Sequence, residues 1–266
     1  MIDVADIEAA KARIESRVRR TPVLTLGQLK DPPSTQAKVT LKLECLQVTG
    51  SFKARGAMNR LLGAEGGVPE AGIVTASGGN HGLAVARTAY AAGVPAVIFV
   101  PESVSPEKVT KMRRWNADVQ IVGAVWDKAN EAALALSQST GAVYFHPFAD
   151  PLVVAGQGTL GLEILDDLPE MDAILIAIGG GGLISGMATG MAPWGSVELH
   201  GCSVGGRRWV GPKSKRVLVN GSAFVQRFAD TVGRPVTASR VTEYVGNIRL
   251  DARFEGPTTS RASAVP

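Results

Sequence analysis

The sequence predicts an α/β fold built on parallel sheets, and three observations lead there. Short apolar runs alternate with amphipathic helical stretches from residue 72 to residue 191. Glycine-rich turns stand where those runs give way to helices. With 266 residues and 45% hydrophobic content, the chain is long enough to bury cores on both faces of a sheet. Strands joined by helices need crossover connections, and those give parallel neighbours.

Taken in order, Val4 to Val18 places Ile7, Ala10, Ile14 and Val18 at helical spacing, with Asp3 available as a cap and Pro22 beyond the end. A loop holding Pro32 and Pro33 leads to an alternating strand, Val39 to Glu44, and Ser51 opens a helix to Leu62. Strands follow at Gly72–Thr75, Ala96–Val100, Val119–Val122, Ala142–Phe145 and Ala173–Ile178. Helices are expected at His81–Ala92, Glu107–Asn116, Asp127–Gln138, Gly158–Asp166 and Leu183–Met191. Gly93 and Gly141 close two of them, as residues that readily adopt a positive φ.

Two cysteines, Cys45 and Cys202, lie far apart, which argues against a disulfide framework and fits a cytoplasmic protein. The acidic N-terminus does not read as a signal peptide. The uncharged run 173–191 holds six glycines and reads as a buried strand, a turn and a helix rather than a membrane span. The net charge of +4 is unevenly placed: residues 1–201 carry 17 Lys+Arg against 20 Asp+Glu, and residues 202–266 carry 11 against 4. Such a basic segment can mark nucleic-acid binding, but no aromatic interleaving or known module supports that here.

Three motifs carry chemistry. In Gly50-Ser-Phe-Lys-Ala-Arg-Gly56, Lys53 stands at a helix start, where backbone dipoles disfavour a positive charge and favour a nucleophilic amine. A solvated lysine in a first helical turn is the alternative. Ser77-Gly-Gly-Asn-His-Gly82 leaves backbone N–H groups open at a helix N-terminus, a site for a small carboxylate, or else a plain turn capped by Asn80. Gly179-Gly-Gly-Gly-Leu183 lets the main chain wrap a phosphate with a helix dipole behind it. No lysine follows, so it is not a nucleoside-triphosphate loop.

In this order and spacing, together with Arg20-Thr-Pro22, Lys42-Leu-Glu44 and Ala155-Gly-Gln-Gly-Thr159, the motifs resemble the fold-type II pyridoxal-phosphate enzymes of the serine/threonine dehydratase and serine racemase group. The resemblance runs from about Ile7 to Gly201. It implies two parallel-sheet domains of the tryptophan-synthase-beta-like architecture: residues 1–48 with 145–201 as the larger, cofactor-binding one, and 49–144 as the smaller. It also implies pyridoxal 5′-phosphate as cofactor, an amino-acid substrate, no nucleic-acid or membrane partner, and a homo-oligomer such as a dimer.

The roles it implies are specific. Lys53 holds the cofactor and then takes the substrate α-proton, and Phe52 packs beside the ring. Asn80 bonds the cofactor's 3′-hydroxyl, while Gly179, Gly180, Gly181, Gly182 and Leu183 surround the phosphate. Ser77, Gly78, Gly79 and His81 receive the substrate carboxylate. The expected reaction is β-elimination from L-serine or L-threonine to a 2-oxo acid and ammonia, with racemisation or hydroxyaspartate dehydration as alternatives. Racemases of the group carry a serine where Gly78 stands, which favours elimination. His146 and His200 read as structural.

From Cys202 the family's acidic, cation-binding segment has no counterpart, so no metal is expected and the larger sheet is expected to be incomplete. Residues 202–266 read as an atypical basic tail. A shift of reading frame near residue 202 would produce one, and would leave a catalytically impaired protein.

Overall fold

A computed structural model of the chain describes residues 2–27, 30, 37–194, 197–203 and 216–220. Helix α1 (Val4–Ile14) buries Ile7, Ala10 and Ile14, and Asp3 and Asp6 each accept the other's backbone N–H at 3.0 Å. It stops four residues short of Val18, in a turn whose N–H groups bond back to Ile14. Strands β1 (Val23–Thr25) and β2 (Lys38–Lys42) form an antiparallel pair. A 3₁₀ turn (Glu44–Leu46) then leads to helix α2 (Lys53–Leu62).

The alternation that follows gives β3 (Ile73–Ala76), α3 (Asn80–Ala92), β4 (Ala96–Val100), α4 (Pro106–Arg113), β5 (Asp118–Ile121), α5 (Trp126–Thr140) and β6 (Val143–Tyr144). After these come α6 (Pro151–Asp167), β7 (Ala173–Ile178), α7 (Gly182–Met191), β8 (Glu198–Ser203) and β9 (Arg216–Asn220). The strands form a four-stranded sheet ordered β5-β4-β3-β6 and a five-stranded sheet ordered β1-β2-β9-β7-β8, parallel throughout except at β1.

The apolar runs of β3 and β4 are continuous because both faces are covered. Ile73, Ile98 and Val100 join Met58, Val85 and Met112 from α2, α3 and α4. Val74, Ala76 and Phe99 join Ala129 and Ala133 of α5. In the larger sheet Ile174 and Ile176 pack on α6 and α7, while Leu175 meets Val39 and Leu41.

Strand order reverses at β3 in one sheet and at β7 in the other. Ligand sites of such sheets lie at the carboxyl ends of strands at that reversal. The two glycine loops leave those two strand ends.

Three differences from the sequence expectation have physical causes. Helix α6 begins at Pro151, seven residues before Gly158, with Asp150 accepting the N–H groups of Leu152 and Val153. Its glycines read against a helix, yet they sit at backbone contacts with other helices. An added Cβ would fall 2.7 Å from Arg55 O at Gly156, and 2.6 Å from Gly186 O at Gly158. Strand β1, three residues long, gave no periodic signal. Five residues of the expected basic tail, Arg216–Asn220, form β9 between β2 and β7. Residues 204–215 and 221–266, most of that tail, lie outside the described residues, as do the side chains of His200 and Cys202. No helix among the described residues is long and apolar enough to cross a membrane.

Replacing glycine by alanine inside an open helix gains up to about 1 kcal/mol. At Gly158 and Gly186 the sign should reverse, because the new methyl meets backbone at 2.6 and 2.3 Å. Gly158→Ala and Gly186→Ala are each expected to lower stability by about 2 kcal/mol, read by urea unfolding.

Candidate active site

Lys53 is the first residue of α2, with Phe52 before it at the N-cap position. Its Nζ donates to Pro147 O at 2.7 Å and lies 5.2 Å from the centroid of the Phe52 ring. Burial pushes the amine down from 10.5 to about 8, so a sizeable neutral fraction exists near neutral pH. The cause is desolvation. Just before it, Ser51 Oγ is buried without a hydrogen-bond partner among the described residues.

The second loop leaves β3. Ser77 N–H bonds Phe99 O, Ser77 Oγ accepts the Gly79 N–H at 3.3 Å, and the Trp126 indole donates to Ala76 O at 2.9 Å. Gly79, not Asn80, is the N-cap of α3, and Asn80 is an exposed first helical residue. The amides of Asn80, His81 and Gly82 therefore have no acceptor within their own helix.

His81 is buried, and its Nε2 donates to Phe145 O at 3.1 Å. That bond leaves Nδ1 as a lone-pair acceptor, buried and unpartnered among the described residues. Burial, with the charges of Lys53 and His146 nearby, pushes His81 down to about 3. A neutral ring with a bare Nδ1 cannot donate to a carboxylate, so what His81 offers an anion is its backbone N–H.

The third loop leaves β7. Its glycines are required for separate reasons. Gly181 has φ +85°, and a Cβ on Gly180 would sit 2.2 Å from the Phe148 ring. At Gly182 a Cβ would lie 2.9 Å from Phe148 O, whereas at Gly179 nothing stands within 4 Å. The loop is thus filled by Phe148 on one side and open beside Gly179. Gly181 is the N-cap of α7, so the amides of its first turn, from Gly182 and Leu183, have no acceptor within their own helix, an arrangement suited to an anion. Phe52 leans on the apolar cluster that includes Leu183 and Ile184, which brings α2's start to α7's start.

One segment to which the sequence reading gave no site role, Phe145 to Asp150, joins all three motifs. Phe145 O receives His81 Nε2 and Thr75 Oγ1, Pro147 O receives Lys53, and Phe148 fills the glycine loop. His146 Nδ1 accepts the N–H groups of Phe148 and Ala149 at 3.2 and 2.9 Å, which places its proton on Nε2. Asp150 caps α6 and holds Arg60 of α2 at 2.5 Å. The available signal was position, since this segment also leaves the carboxyl end of a parallel strand.

The arrangement fits pyridoxal phosphate. A buried amine with a lowered pKa, an orphaned Ser51 hydroxyl and a glycine cradle with open space beside Gly179 suit its aldehyde and its phosphate. Among the described residues no cluster of carboxylates, histidines or cysteines could hold a metal ion.

Lys53 should leave a mark on stability. Below pH 8 the amine is charged in both states and the folded state bears its full desolvation cost. Between pH 8 and 10.5 the unfolded state binds more protons, so stability rises with pH. In the apoprotein, Lys53→Met is expected to be more stable at pH 7 by about 2 kcal/mol, a gap that closes towards pH 10.5 in urea titrations.

Comparison with known proteins bears on the same residues. The model of the family described as pyridoxal-phosphate dependent enzyme matches residues 14–251, which continues past Gly201 into the basic segment. An L-threonine ammonia-lyase of Thermotoga maritima is 44% identical over 188 residues, 71% of this chain and 46% of that protein. A catabolic L-threonine dehydratase of Staphylococcus aureus is 40% identical over 191 residues, 72% of this chain and 55% of that one. The chain spans about half the length of these curated relatives. Among solved structures, a T.th. threonine deaminase aligns with TM-score 0.71 and 39% identity, covering 77% of this chain and 66% of that one. Maize serine racemase aligns with TM-score 0.69 and 35% identity, covering 75% and 60%. With a family match over residues 14–251, this chain belongs to the pyridoxal-phosphate dependent enzymes.

Proposed function

We propose that the chain provides the catalytic centre of a cytoplasmic, homo-oligomeric ammonia-lyase that converts L-threonine or L-serine to a 2-oxo acid and ammonia. The observation that carries this reading is the Lys53 amine. It is held near pKa 8 and bonded to the same short segment whose Phe148 packs in the glycine loop. The names of the Thermotoga maritima and Staphylococcus aureus relatives support the reaction class, and the exposed free thiol of Cys45 suits a reducing compartment. Residues 1–48 and 145–201 would form the cofactor-binding domain, and 49–144 the smaller one.

Lys53 Nζ would hold the cofactor's aldehyde carbon, with Phe52 beside the ring and the Asn80 side chain reaching the 3′-hydroxyl. The amides from Gly179 to Leu183 would hold the phosphate. Bound there, pyridoxal phosphate supplies an electron sink for the charge left at the substrate α-carbon. The remaining work falls to the chain. Ser77, Gly78, Gly79 and the open amide of His81 would orient the substrate carboxylate at the positive end of α3. Once the substrate's own amino group has displaced it from the aldehyde carbon, neutral Lys53 Nζ would take the α-proton, and Pro147 O, 2.7 Å away, would stabilise the resulting ammonium. His81, neutral and bonded to Phe145 O, is left as a fixed wall of the loop.

Elimination is favoured over racemisation by packing at Gly78. Racemisation needs a proton donor on the face opposite Lys53, and a side chain at residue 78 would be its natural source. A Cβ there would stand 2.0 Å from Val104 Cγ2, so Val104 fills that space. Gly78→Ser is expected to destabilise the protein by about 2 kcal/mol, and Val104→Ala in the same chain should recover most of the loss in thermal unfolding.

The activity itself is tested by 2-oxo acid release from L-threonine and L-serine with pyridoxal 5′-phosphate present. Turnover with either amino acid that disappears in Lys53→Ala is expected. A cofactor-loaded protein that releases no 2-oxo acid from either one overturns the reading.

A further inference from the structure

Helices α2 and α6 meet through bare backbone. A Cβ on Gly56 would lie 2.7 Å from Val153 O, and one on Gly156 would lie 2.7 Å from both Arg55 O and Gly56 Cα. A seam of this kind fixes the distance between the two helices. Side chains pin its far half, where Asn59 Nδ2 donates to Leu152 O at 2.7 Å and Arg60 pairs with Asp150, whereas the first turn of α2 needs a restraint of its own against turning about its axis or sliding along α6. Lys53 stands at the first position of α2, so either motion would carry its amine away from Pro147 O and the glycine cradle.

Arg55, two residues on, provides a restraint in that first turn. Its guanidinium is fully buried and gripped by two carboxylates from two different elements. Glu44, in the 3₁₀ turn after β2, accepts Nε at 2.9 Å and Nη2 at 2.8 Å. Glu163 of α6 accepts Nη1 at 2.7 Å and Nη2 at 3.0 Å. Burial disfavours the charge, but the two glutamates more than offset it and hold the group protonated above its ordinary value.

The cluster extends outward and stays balanced. Lys42 Nζ bonds Glu163 at 3.0 Å and Asp167 at 2.9 Å, Thr21 Oγ1 donates to Glu44, and Arg20 pairs with Asp167. Three cations therefore face three carboxylates. Paired charges of this kind add little net stability over an apolar core, but they are demanding about geometry.

We propose that Arg55 is a positioning residue for Lys53, its clamp between Glu44 and Glu163 setting the rotation and register of α2 on α6. This rests on Lys53 being the cofactor lysine. The lever is short. A rotation of about 20° moves a side-chain end lying ~6 Å from the helix axis by about 2 Å. A displacement of that size at a reacting atom is enough to cost two orders of magnitude in rate. Lysine cannot replace the planar fork, because an ammonium is a point charge that cannot bond two carboxylates in a bidentate manner.

The test compares wild type, Arg55→Lys and Glu163→Gln as apoproteins, with pyridoxal 5′-phosphate as the probe. Three quantities are read: the melting temperature, the rate at which Lys53 covalently captures the aldehyde, and the pH midpoint of that capture. In Arg55→Lys, well below its melting temperature, capture should slow at least tenfold. The pH midpoint should stay that of wild type, since the cluster is neutral and acts through geometry. Glu163→Gln, which keeps the shape of its side chain and the Glu44 half of the clamp, should slow capture less. Folded Arg55→Lys that captures at the wild-type rate, or slows only in step with its unfolded fraction, overturns the proposal. If Arg55→Lys does not fold, Glu163→Gln is judged by the same two criteria. Failure of wild type to capture the probe on Lys53 sinks the cofactor-lysine reading itself and the clamp with it. Normal capture by the variants sinks only the clamp.

Discussion

Helix α6 touches α2 on one side and α7 on the other through backbone atoms, and both ends of the active site hang from those two partners. Gly56 and Gly156 form the first contact, and Gly158 and Gly186 the second. The Lys53 amine stands at the start of α2 and the proposed phosphate cradle at the start of α7. The separation of the two is therefore set by helix-to-helix distances that only glycine permits. A cofactor with an aldehyde at one end and a phosphate at the other requires such a fixed span, because a site that must first be assembled loses binding energy to the assembly. The segment Phe145–Asp150 spans the same gap on the open side, with its carbonyls towards Lys53 and His81 and the Phe148 ring in the glycine loop.

Within two residues, α2 treats a part-buried and a fully buried cation in opposite ways. Arg55 has two carboxylates and is held charged; Lys53 has only a carbonyl and is pushed towards neutrality. Burial alone does not decide which outcome follows. The deciding factor is whether an acid is placed in reach. A lysine left without a counter-charge weakens the fold at neutral pH, and that same burial is what makes it reactive, since only the neutral amine can attack a carbonyl or accept a proton.

Much of this was legible in the sequence, and what was not has identifiable causes. Continuous runs such as Ala96–Val100 marked strands buried on both faces, and glycine turns marked the carboxyl ends of β3 and β7. Lys53 and the tetraglycine loop drew notice in the sequence because unusual residues stood at the starts of helices. Helix α6 was read as starting seven residues too late, because its glycines are penalised locally and justified only by partners brought in by tertiary contact. The Arg55 cluster escaped for a related reason: Glu44, Arg55 and Glu163 are far apart in the chain, and each alone looks like a surface charge. Phe148 and Val104 escaped too, since a residue that fills the space left by a glycine has no motif of its own. The N-cap of α3 went to Gly79 rather than Asn80, which leaves the asparagine side chain exposed instead of bonded to the helix end.

The covalent bond between protein and cofactor is the point on which everything else turns, and peptide mapping after hydride reduction of the loaded protein reads it directly. The expected result is a single modified peptide, carrying the reduced cofactor on Lys53. A folded sample in which the label lies on surface lysines while Lys53 stays unmodified would contradict the central claim.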